Sequence, residues 1–204
     1  MGLDDMNPYI MQDIGGCRAI LETVPQVYRL FKGHYEEGKY AAHIKRKVSD
    51  YITEPRESGY RSLHVIYVFH EDDSPYNGRH IEIQLRTNLQ HAWATAVETV
   101  ETFTGQSLRR ETPINKEWRD FFKLVSSAFA MREDSPLVPG TAKTERLLQD
   151  RVKEAMVVLT VRERLTAYSL ESYQEKETSV KTLPFGAISR GKDSSHQGLF
   201  RESF

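Results

Sequence analysis

A single cysteine, Cys17, stands in the 204 residues. It excludes an internal disulfide and a multi-cysteine metal site, and it fits a reducing, cytoplasmic setting. Flanked by small and apolar residues, it is expected to be a half-buried, inert thiol. No apolar run comes near the roughly 20 residues that a membrane-spanning helix needs. The N-terminus, with Asp4 and Asp5, lacks the apolar stretch of a signal peptide. No repeat is visible. An excess of charge is missing too: 28 Lys and Arg against 29 Asp and Glu leave a net −1, which gives no sign of a nucleic-acid binder by bulk charge. What remains is an apolar fraction of 39%, enough for a core, and a length that suits one domain with a helical extension.

The periodicity predicts an α/β fold: a mixed, twisted sheet of about four or five strands flanked by helices, with a helical C-terminal part. Residues 17–24 read as a strand after the Gly15-Gly16 turn. Pro25 opens a helix to about Tyr35, with Val27, Leu30 and Phe31 inward. Lys45 to Thr53 reads as a short strand. Leu63, Val65, Ile66, Tyr67, Val68 and Phe69 mark a central strand over 61–70. After the turn at 72–78, Ile81, Ile83 and Leu85 alternate with His80, Glu82, Gln84 and Arg86, which is strand spacing. The two strands form an antiparallel hairpin. Thr87 or Asn88 caps a helix carrying Leu89, Trp93, Val97 and Val100 on one face, with Gln90, His91, Ala94, Thr95 and Glu98 facing elsewhere. Helices are expected from Trp118 to Met131, with Trp118, Phe121, Phe122, Val125 and Phe129 inward, and as one long rod from Thr141 to about Tyr173. The division is a core over 1–115, helices over 116–177 packing on it, and an irregular or disordered tail over 178–204.

Three places carry chemistry. Glu82 sits on the polar side of its strand, and Gln84 and Arg86 share that side because strand residues alternate. Asp13, just before Gly15-Gly16, enters a neighbouring strand. Two carboxylates on adjacent strands near arginine suit Mg²⁺ on a polyphosphate. In Gly59-Tyr60-Arg61-Ser62-Leu63-His64, the residues Tyr60, Ser62 and His64 share one side of an extended segment. Tyr60 offers a ring on which a base can stack, and Arg56 offers a planar fork for phosphate. A loop feeding an ordinary strand, with His64 a satisfied core histidine, stands as the alternative. Lys45-Arg46-Lys47 and Arg109-Arg110 read as solvated charge or as a phosphate-binding rim.

Read together, Asp13-Ile14-Gly15-Gly16-Cys17-Arg18, the run from Asp50 to His64, and Glu82 to Thr87 resemble the synthetase domain of the RelA/SpoT family, in order and in spacing. The resemblance covers about residues 11–101. Gln90 to Glu98 and Pro136 to Thr141 are similar to stand-alone small alarmone synthetases, the toxin branch in particular. It implies a nucleotidyltransferase-like fold and transfer of the β,γ-pyrophosphate of ATP to the 3′-hydroxyl of GDP or GTP. By the same resemblance Asp13 and Glu82 would hold Mg²⁺, and Glu82 would also act as general base. Tyr60 would stack on guanine, and His64, Arg56 and Ser58 would hold the acceptor. Arg61, Arg18, Gln84 and Arg86 complete the expected substrate contacts.

Two departures shape the expectation. The family's basic ATP-binding segment ahead of the Asp13 block has no counterpart here, since Met1 to Gln12 holds no Lys or Arg. Either an N-terminally shortened form or a donor held differently is therefore expected. Arg56 and Ser58 stand where the family carries Lys and Asn, as in toxin-branch members that act on the tRNA 3′ end or on adenosine nucleotides. The alternatives are thus tRNA pyrophosphorylation and a non-catalytic nucleotide-binding remnant. An antitoxin partner and a homo-oligomer built through the C-terminal helices are further expectations of the resemblance.

Overall fold

A computed structural model describes residues 15–36, 43–108 and 112–168. Asp13, Arg109-Arg110 and the tail over 178–204 lie outside the described residues. The chain divides into two compact units, Met1–Arg164 and Leu165–Phe204. Of the second, only residues 165–168 are described, and they are helical.

The first unit is built on a four-stranded mixed sheet. Strand β1 (Gly15–Leu21) is followed by helix α1 (Val24–Leu30), β2 (Ile44–Asp50), β3 (Leu63–Val68), β4 (His80–Thr87), α2 (Asn88–Thr104), α3 (Lys116–Arg132) and α4 (Glu145–Val158). The spatial order is β1-β4-β3-β2. β1 runs parallel to β4, and the other two pairings are antiparallel, including the expected β3–β4 hairpin. Thr23 starts α1 by a reciprocal capping box with Gln26, and Pro25 fits the first turn, where an N–H is not needed. The helix continues through π-helical turns over Phe31–Glu36. No described helix is long and apolar enough to cross a membrane.

The registers separate the sheet into two chemically distinct faces. Leu63, Val65 and Tyr67 of β3 lie beside Leu85, Ile83 and Ile81 of β4. With Val27 and Phe31 from the α1 segment and Ile52, they make the buried core. Residues one position out of phase point to the opposite face. There, His64 pairs with Gln84, and β1 sets Gly16 beside Glu82 and Arg18 beside Gln84. A single β4 strand thus feeds both the core and a polar floor.

Helix α2 begins where β4 ends. Thr87 terminates the strand, accepts from the Gln90 N–H at 3.2 Å, and receives the Gln90 side chain on its own backbone N–H. Gly105, at φ 65°, ends the helix in a left-handed conformation that suits glycine. Gln90, expected off the apolar face, is buried at 2% exposure. It is committed to this cap and to Glu133 at 3.0 Å. Ala94, also expected outside the apolar face, is buried at 5%.

Two other expectations are corrected. The rod over 141–173 is broken: α4 stops at Val158, Thr160 adopts φ 47°, and helix resumes at 161. Leu159 and Val161 are both buried, at 3% and 4%. Residues two apart lie on opposite sides of an α-helix, so burying both requires the break. Cys17 is exposed rather than half-buried, since β1 is an edge strand.

Candidate active site

The polar floor opens into a cavity of about 880 Å³. Its basic side is made by Arg18, Arg56 and Arg86, its floor by His64, Glu82 and Gln84, and its far wall by Trp93, Glu98, Arg119 and Phe122.

Placement of the Tyr60 ring begins with Gly59. At φ 93° this residue suits glycine, and a Cβ there would meet the Ser126 Cβ at 2.9 Å and Trp93 at 3.2 Å. Ser126 also donates to the Gly59 carbonyl at 2.6 Å. The turn is thereby pressed onto α3, and the next residue, Tyr60, extends over the floor. Its ring lies edge-on to His64 and to Trp93, with centroids 5.7 and 6.3 Å away.

A continuous hydrogen-bonded chain crosses the floor. His64 Nδ1 lies 2.6 Å from Glu82 Oε1, and His64 Nε2 lies 2.7 Å from the Tyr60 hydroxyl. A carboxylate only accepts, so Nδ1 carries the proton, and a neutral ring then accepts the Tyr60 O–H at Nε2. Burial is the main force lowering the His64 pKa, with Arg56 and Arg86 adding to it and Glu82 opposing. Burial likewise raises Tyr60, which keeps the phenol a donor. Gln84 Nε2 donates to the same Glu82 oxygen at 2.9 Å, and Gln84 Oε1 accepts from Arg86 and, at 3.4 Å, from Arg18 Nε. Two donors therefore fix the orientation of the Glu82 carboxylate.

The arginines differ in state. Arg56 donates to the Tyr51 hydroxyl at 2.7 Å and lies 4.3 Å from that ring's centre. Burial alone would raise the Tyr51 pKa, but the bond from Arg56 and the charges of Arg56 and Lys47 bring it below its ordinary value. Arg86 is 2% exposed, and its Nε and Nη1 have no hydrogen-bond partner among the described residues. Burial lowers its pKa. A buried guanidinium with idle donors beside a cavity is suited to an anion. Ser58 lines the same side and accepts from the Tyr60 N–H at 3.4 Å.

Arg61, expected at the substrate, is turned away. It is 3% exposed, and its three nitrogens donate to Ser126 Oγ at 3.0 Å, the Ile52 carbonyl at 3.2 Å and the Pro136 carbonyl at 2.6 Å. Burial pushes its pKa down to about 10. It pins the segment entering β3 to Ile52, to α3 and to the stretch that follows α3. Ser62 is fully buried and donates to the Leu85 carbonyl at 3.2 Å. Lys45, Arg46 and Lys47 are exposed on edge strand β2 around a bulge and do not line the cavity; Lys45 Nζ donates to the Glu36 carbonyl at 3.0 Å. Sequence reasoning missed the far wall, because Trp93 and Phe122 read only as helix-core residues. It also missed Tyr51, whose position beside Tyr60 in the same block was the available signal.

The mixed four-stranded sheet with flanking helices is an α/β fold shared with solved structures. Small alarmone synthetase 1 from Bacillus subtilis, bound to its product pppGpp, superposes with a TM-score of 0.50 at 23% identity, over 62% of this chain and 61% of that one. Small alarmone synthetase 2 from the same organism gives 0.51 at 24%, over 65% and 68%. Residues 5–102 match the region found in RelA/SpoT proteins. GTP pyrophosphokinase YjbM of Bacillus subtilis is 33% identical over 87 residues, 42% of this chain. The chain spans about two fifths of the length of that relative, 39%.

Proposed function

We propose that the cavity is the acceptor site of a pyrophosphate transfer, from ATP to the 3′-hydroxyl of GDP or GTP. The observation that carries this reading is the Tyr60–His64–Glu82 chain flanked by Arg18, Arg56 and Arg86, within the stretch that matches the RelA/SpoT region. Glu82, held by His64 and Gln84, takes the proton of the 3′-hydroxyl. The freed oxygen bonds to the β-phosphorus of ATP as the α,β-bridging bond breaks, and AMP leaves. Tyr60 stacks on the base, while Arg56, Ser58, His64, Arg18 and Arg86 hold phosphate charge. Positioning and electrostatics supply most of the acceleration in such transfers.

A divalent cation, Mg²⁺ by resemblance, would neutralise the phosphates. Glu82 Oε1 takes both hydrogen bonds and leaves Oε2 free of donors among the described residues, so one protein oxygen fits such an ion. Among the described residues no cluster of three His, Cys, Asp or Glu could hold a metal alone. Asp13 is the second ligand in this reading, and phosphate oxygens provide the rest.

The test is incubation with γ-labelled ATP and, separately, GDP, GTP and tRNA. Label in guanosine nucleotide supports the proposal. Label in tRNA alone supports the toxin-type reaction, and absence of transfer with retained GDP binding supports a binding module. Glu82→Gln is expected to lower transfer by about 10²–10⁴-fold, the scale of a lost general base, with folding intact.

A further inference from the structure

The carboxylates that α2 contributes to the cavity have no role in the scheme above. Ala94, Val97, Glu98 and Glu101 of α2 all line the cavity. Their spacing of i, i+3, i+4 and i+7 is one helix face. The two carboxylates on this face are not equivalent. Glu101 Oε1 already accepts from the Leu108 N–H at 2.5 Å and the Ser107 hydroxyl at 3.4 Å. The Glu98 carboxylate makes no hydrogen bond or ion pair among the described residues, although it borders the same cavity as Tyr60 and its charge is felt by Arg86. Arg86, 2% exposed, lines the same cavity with its Nε and Nη1 unpartnered among the described residues and its guanidinium carbon 6.0 Å from the Tyr60 ring centre, an independent sign that the space around Tyr60 takes a ligand.

We propose that Glu98 reads the base of the acceptor nucleotide, selecting guanine. The inference rests on the transfer reading above and specifies its acceptor. A ring laid on Tyr60 would share the cavity with Ala94 and Val97 as an apolar wall and with Glu98 as an uncommitted acceptor on the same helix face. Guanine presents two adjacent donors, N1–H and the 2-amino group, which a carboxylate accepts side by side as it accepts an arginine fork. Adenine presents an acceptor at N1, which would face the negative oxygen. Inosine keeps N1–H and lacks the 2-amino donor.

Steady-state transfer to GDP, IDP and ADP by wild type, Glu98→Ala and Glu98→Gln tests this, with calorimetric binding of each nucleotide alongside. The wild type is expected to favour GDP over IDP by about tenfold and over ADP by about a hundredfold or more, since hydrogen bonds to a charged group discriminate on this scale. In Glu98→Ala the GDP:IDP ratio of kcat/KM should fall to near one, through KM, and the GDP:ADP ratio should drop at least tenfold. Glu98→Gln should lie between. Unchanged ratios in an active Glu98→Ala would overturn the assignment while leaving the transfer reading in place. A wild type that prefers ADP would overturn the assignment and the guanosine acceptor of the transfer reading together. A wild type that neither binds nor modifies any of the three would overturn both.

Discussion

Replacing Arg61 separates a structural arginine from a substrate-binding one. In Arg61→Met the side chain keeps much of its length and loses three donors. Ser126 Oγ keeps a partner by donating to Gly59. The Ile52 and Pro136 carbonyls lose the donor that Arg61 supplied. Each buried acceptor left unpaired costs about 1–3 kcal/mol, while removing a buried charge returns part of its desolvation cost. A net loss of about 3 kcal/mol results. For a chain of this size, where each kcal/mol shifts Tm by about 2–4 °C, that is a fall of about 6–12 °C. Arg61→Lys keeps the charge but cannot reach three segments with one ammonium, so it should lose roughly half as much. Urea and thermal unfolding followed by circular dichroism give both values, and an unchanged urea m-value would show that stability rather than compactness has changed. The reasoning is refuted if Arg61→Met melts with the wild type while the KM for GDP rises, for then the guanidinium serves the nucleotide and not the fold.

Other substitutions test the supports of the site. Gly59→Ala should cost about 2–4 kcal/mol in chemical denaturation, because the new Cβ meets Ser126 and Trp93 and φ is 93°; a neutral outcome would show that the Gly59–α3 contact is loose. Thr87→Ala removes the α2 cap and should cost about 1–2 kcal/mol by the same measurement. Tyr28 donates to Asp50 at 2.8 Å. Burial first, and then Asp50, raise its pKa well above the ordinary value of 10. Its contribution is therefore full below pH 10 and is lost as pH rises beyond it, while the unfolded chain ionises. Tyr28→Phe should flatten the alkaline loss of stability, and an unchanged slope between pH 10 and 11 would contradict the bond.

The parts legible in the sequence were those governed by local pattern. The Ile81-Ile83-Leu85 alternation specified both the β4 strand and its polar side, so spacing alone grouped Glu82, Gln84 and Arg86. Thr87 carried its own capping signal. Arg61 was misread because alternation places a side chain on a face but does not say whether that face is cavity or interface; here α3 and Pro136 decide. The break at Thr160 is equally non-local, since helical spacing continues through it and only the burial of both Leu159 and Val161 demands it. Glu98 lay among residues expected to face away from α2's apolar side. It became a site residue only when the sheet and α3 closed a cavity over that flank of the helix.

The central claim, transfer of an intact pyrophosphoryl group to a guanosine 3′-hydroxyl, is tested most directly by following ATP labelled at the α- or the γ-phosphate in the presence of GDP. The account predicts γ-label in a 3′-pyrophosphorylated guanosine product and α-label in AMP, formed one for one, with both lost in Glu82→Gln. Formation of ADP, AMP production that does not depend on GDP, or undiminished transfer by Glu82→Gln would contradict it.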